Sequence, residues 1–138
     1  MWWMFALLSA LFAALTAVFA KIGIKDVNTD LGTAIRTVII GILAWGIVLF
    51  GNNSMKLSQL TKQNWIFLVL SGIATGLSWI FYFKALQSGK VSQVAPVDKL
   101  SVALAIILSA VFLHESITWK TAIGATLIIG GTLVLILE

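Results

Sequence analysis

The residues best suited to chemistry are three charged side chains that interrupt long apolar stretches of the chain. Arg36 follows the start of one stretch by about five residues, or roughly 8 Å along a helix, and Asp98 and Lys99 lie about seven or eight residues into another. A charge in apolar surroundings needs a partner or a cavity that holds water. Neighbouring residues of a helix point about 100° apart, so we predict that Asp98 pairs with Arg36 rather than with Lys99.

Two interpretations of these cations are open. Arg36 and Lys99 could bind an anionic or zwitterionic group of a small solute, because both side chains are positively charged at neutral pH. The alternative is structural, with the charges paired between helices or extended towards the membrane surface. Lys21 and Lys84 lie nearer the ends of their apolar stretches and fit the second interpretation.

Aromatic side chains follow a helical spacing close to these charges. Trp79, Tyr82 and Phe83 fall at i, i+3 and i+4, so they share one face of a helix, and Lys84 follows directly. An aromatic wall beside a basic residue could bind a flat or amphipathic solute, with Trp79 and Tyr82 as the wall. Contact with lipid near the membrane surface is the alternative.

Other kinds of chemistry lack the necessary residues. The sequence has no cysteine and one histidine, His114, and it offers no paired carboxylates. We therefore expect no enzyme activity, no metal site and no cofactor. Nucleic-acid binding is disfavoured despite the net charge of +4, because the basic residues are dispersed. Glu115 is predicted to cap the helix that follows it, although a pH-sensing pair with His114 is a second interpretation.

The composition requires that most of the chain face lipid. Hydrophobic residues make up 60% of the 138 residues and charged residues 10%, against roughly one quarter charged in soluble domains. Five apolar stretches are each close to the ~20 residues that cross a bilayer, and backbone amides in hydrocarbon require helices. We predict an all-α integral membrane protein in which residues 1–138 form one five-helix domain. Its transmembrane helices run over about 3–24, 31–50, 65–86, 91–113 and 118–137.

The charges concentrate at one end of these helices. Arg36, Asp98, Lys99, Lys21 and Lys84 all map to the same half of the membrane. The loop lysines are divided almost evenly, with Lys56, Lys62 and Lys120 on one side and Lys25 and Lys90 on the other. The positive-inside rule therefore gives no firm orientation, and insertion in both orientations stays open.

Two further features concern helix geometry. Pro96 falls within or just ahead of the first turns of the fourth helix, where either its missing amide costs little or it bends the helix beside Asp98 and Lys99. Gly72 and Gly76 form a small-xxx-small motif in the third helix, which predicts close approach of another helix.

Several short motifs, taken in order, resemble the EamA domain of the drug/metabolite transporter superfamily. Lys21 and Arg36 look like the basic positions of that domain. The other matching segments are residues 83–86, 91–96, 112–115, Gly124 and Gly130–Gly131. The sequence departs from the pattern at His114, where many members have glycine, and at Ser101, a position that often holds a second proline.

The resemblance implies a membrane transporter of small organic metabolites. Typical members contain two such domains in inverted orientation around a central cavity, whereas this sequence has one copy. Alternating access would then need a homodimer, possibly antiparallel, or a heterodimer with a related half-unit. The expected partners are the lipid bilayer and a small-molecule substrate, in the cytoplasmic membrane of a prokaryote. A non-transporting membrane subunit that assembles with another transporter chain is the alternative.

Overall fold

The structure is a computed structural model and describes residues 1–51 and 59–137. The predicted loop residue Lys56 lies outside these ranges. Six α-helices occur in the described residues: α1 (Trp2–Gly23), α2 (Thr29–Phe50), α3 (Lys62–Ser88), α4 (Val91–Asp98), α5 (Leu100–Phe112) and α6 (Trp119–Ile136).

Within these residues, five helical segments are long and apolar enough to cross a membrane, which confirms the predicted fold class. Four of them are α1, α2, α3 and α6, and the fifth is Val91–Phe112, which comprises α4 and α5. A helix of 22 residues such as α1 is about 33 Å long, enough for the hydrocarbon core. Large hydrophobic side chains are exposed along all five segments, as expected of helices that face lipid.

Side-chain oxygens fix where two of the helices begin. The amide oxygen of Asn28 accepts hydrogen bonds from the backbone N–H of Asp30 and Leu31, at 2.8 and 3.1 Å. The hydroxyl of Thr118 accepts one from the N–H of Thr121 at 3.2 Å. Each cap satisfies amides that have no partner within the first turn of the helix.

The cap predicted for Glu115 is wrong, because Thr118 occupies that position. Glu115 lies three residues earlier, in the connection between α5 and α6. There His114 adopts a left-handed backbone conformation with φ of 55°, and the N–H of Glu115 donates to the carbonyl of Ser109 at 3.3 Å. Glu115 thus helps to end α5 through its backbone.

The fourth segment is interrupted at Lys99. Pro96 lies inside α4, and this helix ends at Asp98, so of the two predicted effects the disturbance of the helix beside Asp98 and Lys99 is observed. Because Pro96 has no N–H, one helical hydrogen bond is missing at this point. The N–H of Lys99 is shared between the carbonyls of Ala95, at 3.3 Å, and Pro96, at 3.0 Å, and the second bond is that of a tighter turn than an α-helix. The helix resumes at Leu100 as α5.

The close helix approach predicted at Gly72 and Gly76 is not found within the described part of the chain. A Cβ atom built on either glycine would meet no atom within 4 Å. The motif is therefore open to the surroundings of α3.

By its internal contacts the chain divides into two compact units, one formed by Met1–Val18 and Ser88–Glu138 and the other by Phe19–Gln87. We call the second the α2–α3 unit, because it contains the end of α1, all of α2 and nearly all of α3. The first, which contains α4, α5 and α6, we call the α4–α6 unit.

Candidate functional site

The guanidinium of Arg36, on α2, lies against two aromatic rings of α3. Its central carbon is 4.6 Å from the ring centroid of Trp79 and 5.0 Å from that of Phe83. Both distances are within the ~6 Å over which the face of an aromatic ring attracts a cation. Trp79 and Phe83 are four residues apart, so their rings lie on one face of α3. We call Arg36, Trp79 and Phe83 the cation site.

The ring contacts leave hydrogen-bonding capacity on the guanidinium. Its N–H groups point outwards in its own plane, whereas the contacts described above are with ring faces. The Nη1 nitrogen is buried and has no hydrogen-bond partner among the described residues. An unpaired charged donor in such a place costs more than the ~1–3 kcal/mol of a neutral one. The arrangement therefore suits an anionic acceptor, which a guanidinium binds through two parallel hydrogen bonds.

Several residues of α2 and α3 that are close in sequence to the cation site are buried. Phe83 is only 1% exposed and Leu86, one turn further along α3, is fully buried. On α2, Thr29 and Thr33 are also buried, and the hydroxyl of Thr33 donates to the carbonyl of Thr29 at 2.8 Å. Such back-bonding lets a hydroxyl be buried without a partner on another helix.

Tyr82 extends the aromatic surface beside Phe83. The two ring centroids are 6.4 Å apart and the rings are tilted by 41°, within the range for favourable aromatic pairs. Tyr82 is half-buried. It thus lies next to the cation site and reaches its margin.

An ion pair joins α2 and α3 nearer the end of these helices. The ammonium of Lys84 lies 3.5 Å from a carboxylate oxygen of Asp30, and both side chains are more than half exposed. Exposed pairs of this kind contribute ~0–1 kcal/mol. Asp30 precedes Arg36 by six residues, which is about 9 Å along α2.

Lys21 and Gln87 tie the ends of α1 and α3 together. The ammonium of Lys21 donates to the carbonyls of Leu86 and Gln87 at the end of α3. In return, the Gln87 amide donates to the carbonyls of Ile24 and Val27, at 3.3 and 3.0 Å. Lys21 thereby bonds to carbonyls that the end of α3 leaves without helical partners, and Gln87 bonds to the connection between α1 and α2.

In the α4–α6 unit, the charged pair is formed by neighbours. The ammonium of Lys99 lies 3.3 Å from a carboxylate oxygen of Asp98, so the prediction that these two would not pair is wrong. Neighbouring side chains leave a helix about 100° apart, but the flexible four-carbon stem of lysine is long enough to bring the ammonium back to the neighbouring carboxylate. The contact predicted between Arg36 and Asp98 joins different units and stays a prediction.

A buried hydroxyl contacts the chain close to the interruption between α4 and α5. Thr132, on α6, is 4% exposed, and its hydroxyl lies 3.2 Å from the carbonyl oxygen of Pro96 and 2.8 Å from that of Ile128. This contact links α6 to the last turn of α4, just before Asp98 and Lys99.

Nearly the whole chain matches a known family. The model of the EamA-like transporter family matches residues 1–137. The chain belongs to the EamA-like transporter family. With the spanning helices, this membership makes it an integral membrane protein and a membrane transporter.

Two curated relatives of this EamA-like transporter match over nearly their whole length. A Sinorhizobium protein described as an "uncharacterized transporter in cobO 3'region" is 46% identical over 97% of this chain and 95% of its own. An uncharacterized protein of Methanocaldococcus jannaschii is 29% identical over 94% of this chain and 91% of its own. Both relatives are thus about as long as this chain. No solved structure matches it.

The structure of this EamA-like transporter brings together some of the predicted site residues. Arg36 and Trp79 are in contact, and Tyr82 lies beside them through Phe83. Lys99 and Asp98 pair with each other in the α4–α6 unit. No group of three or more metal-ligating side chains occurs among residues 1–51 and 59–137.

Sequence reasoning did not assign site roles to Phe83, Gln87 and Thr132. For Phe83 a signal was present, because it follows Trp79 by one helical turn and shares its face. Gln87 follows Phe83 by another turn and could have been found by extending the same face. Thr132 gave no such signal, because a hydroxyl in an apolar helix usually bonds to its own backbone.

Proposed function

We propose that this EamA-like transporter moves small organic solutes that carry a carboxylate or a comparable anionic group. In this proposal Arg36 binds the anionic group, and Trp79 and Tyr82 contact the organic part of the solute. The proposal rests on the buried Nη1 nitrogen of Arg36, which has no hydrogen-bond partner among the described residues. The guanidinium to which this nitrogen belongs lies against two aromatic rings. The proposed activity is movement of the solute without chemical conversion.

Lys99 is the second cation in the proposal. Its ammonium is paired with Asp98, and its side chain is more than half exposed. A pair of this strength is easily opened, so an anionic group can replace the Asp98 carboxylate as the partner of Lys99. Asp98 would then hold Lys99 in place while no solute is bound.

The proposal includes two copies of the five-helix unit. The family match covers the chain once, and the two relatives are of similar length. A pathway that opens alternately to the two sides of a membrane is commonly built between two repeats. We therefore propose a homodimer, possibly antiparallel, or a heterodimer with a related chain. Because both relatives come from prokaryotes, the cytoplasmic membrane of a prokaryote is the proposed location.

Uptake into vesicles made with the purified protein tests the proposed activity. Radiolabelled amino acids and organic acids would be offered to vesicles that contain the wild type, Arg36→Leu or the control Lys62→Gln. Lys62 is the first residue of α3 and lies far along this helix from Trp79. We expect uptake of at least one solute class by the wild type and the control, and uptake at the level of empty vesicles for Arg36→Leu. Equal uptake by Arg36→Leu, or no uptake by any protein, contradicts the proposal, and the second result favours a non-transporting subunit.

The orientation of the two copies has its own test. Because the sequence lacks cysteine, one cysteine at Gln59 or at Lys90 can be labelled selectively from outside intact cells. Gln59 precedes α3 and Lys90 follows it. The proposed topology therefore places the two positions on opposite sides of the membrane. Labelling of both single-cysteine variants from outside supports an antiparallel pair. Labelling of only one contradicts the antiparallel homodimer.

A further inference from the structure

A cavity separate from the cation site lies at the end of the α2–α3 unit, where α1 ends and α3 ends. Its volume is about 620 Å³, within the range of roughly 300–1,000 Å³ typical of sites for small ligands. Its lining combines charged, amide and aliphatic side chains, namely Lys21, Ile22, Ile24, Lys25, Asp26 and Gln87. None of these residues belongs to the cation site.

The walls of this cavity are held by hydrogen bonds between helix ends. Lys21 bonds to the carbonyl of Leu86, and Gln87 bonds to the carbonyls of Ile24 and Val27. Between them the chain turns through Asp26, whose φ of 65° is left-handed. The cavity is therefore formed by the fold itself, and a ligand would not have to order the chain in order to bind.

The position and chemistry of the cavity indicate what occupies it. Because α1 and α3 are long enough to cross the membrane, their common end lies at the level of the lipid headgroups. Basic pockets between transmembrane helices bind anionic headgroup phosphates, and here Lys21 and Lys25 supply the positive charge. Asp26 adds a negative charge at the same cavity. Ile22 is 69% exposed on the same turn of α1 and offers an apolar surface to acyl chains.

We propose that this cavity binds the headgroup of phosphatidylethanolamine. Lys25 and Lys21 contact the phosphate, Asp26 accepts hydrogen bonds from the primary ammonium, and Ile22 contacts the first part of an acyl chain. Phosphatidylglycerol lacks the ammonium, and the quaternary ammonium of phosphatidylcholine has no N–H to donate. The neighbouring opposite charges of the cavity match phosphatidylethanolamine better than either of these lipids.

Bound lipid, counted by native mass spectrometry on delipidated protein in detergent, tests the site. We expect the wild type to bind phosphatidylethanolamine roughly two- to fivefold better than phosphatidylcholine, the preference that one exposed ion pair supplies. In Asp26→Asn this preference disappears, and in Lys25→Gln binding of both lipids falls. Asparagine has nearly the size of aspartate and tolerates a left-handed backbone, so the turn is retained. The control Lys120→Gln, on α6, keeps the wild-type preference.

Two further results would overturn the proposal. One is an Asp26→Asn protein that still prefers phosphatidylethanolamine. The other is displacement of the lipid by soluble phosphoethanolamine at equal concentration, which would identify a site for a soluble phosphoester. The wild type can also be tested with a series of phosphatidylethanolamines whose headgroup nitrogen carries successively more methyl groups. Binding should fall with each added methyl group. Unchanged binding across the series contradicts the role of Asp26.

Discussion

The hydroxyl of Thr132 lies within hydrogen-bonding distance of two carbonyl oxygens, that of Pro96 at 3.2 Å and that of Ile128 at 2.8 Å. A hydroxyl has one hydrogen to donate, so the two carbonyls share or exchange it. The Pro96 carbonyl belongs to the turn at which the fourth segment is interrupted. Thr132 thus connects α6 to the turn that separates α4 from α5.

Replacement of Thr132 by valine removes the shared hydrogen and leaves the shape of the side chain nearly unchanged. We expect the free energy of unfolding to fall by about 0.5–1.5 kcal/mol, the net value of one hydrogen bond, in titrations with a denaturing detergent. Thr132→Ser retains the hydroxyl and serves as the control. Equal losses for the valine and serine variants would show that packing, and not the hydrogen bond, accounts for the effect.

The backbone conformation of His114 leads us to expect that one substitution there makes the protein more stable. Its φ of 55° is a left-handed conformation, which costs a residue with a Cβ atom about 1–2 kcal/mol and glycine much less. His114→Gly should therefore raise the thermal midpoint of unfolding, despite the greater freedom of glycine in the unfolded chain. His114→Ala keeps the strain and should show no increase. A glycine variant no more stable than the alanine variant would contradict this explanation.

Two lysines at the same end of the helices should contribute differently to the free energy of unfolding. Lys21 donates charge-assisted hydrogen bonds to carbonyls at the end of α3, interactions worth about 1.5–3 kcal/mol. Lys84 forms an exposed ion pair with Asp30, worth ~0–1 kcal/mol. Lys21→Met should thus lower the free energy of unfolding clearly more than Lys84→Met, as measured by detergent titration. The reverse order would mean that the Asp30 pair is the stronger link.

The open glycine motif of α3 bears on the proposed dimer. Gly72 and Gly76 meet no atom of the described chain near their missing Cβ positions, and small residues favour close contact between transmembrane helices. If a second copy packs there, Gly76→Leu should lower the dimer fraction seen by cross-linking in lipid vesicles. Ala74→Leu, on the same helix two residues earlier, is the control. An unchanged dimer fraction in Gly76→Leu would place the contact between copies elsewhere.

The sequence predicted the five spanning segments well, because length and apolar content decide them. The second segment was predicted over 31–50 and is observed as Thr29–Phe50. The two extra residues come from Asn28, whose amide caps the helix. The aromatic face of α3 was also predictable from its spacing, since Trp79 and Phe83 must lie on one side of any helix that contains them.

The interruption at Lys99 and the pairing of Asp98 could not be deduced from the sequence in the same way. Pro96 was compatible with a helix start and with a bend, and the choice depends on whether α4 begins at Val91. The partner of a charge in a membrane helix depends on which helix faces it. When a helix is apolar on all sides, its sequence does not show which of its faces meets a neighbouring helix.

Binding of the solute's anionic group by Arg36 can be measured at equilibrium, without transport. The solute that gives the strongest uptake would be compared with its uncharged amide on the purified wild type and on Arg36→Met. If Arg36 supplies a charge-assisted hydrogen bond of about 1.5–3 kcal/mol, the wild type should bind the acid roughly 10- to 100-fold more tightly than the amide. Arg36→Met is expected to keep only the smaller part of this preference that Lys99 supplies. An Arg36→Met protein that keeps the full preference for the acid would contradict the role of Arg36.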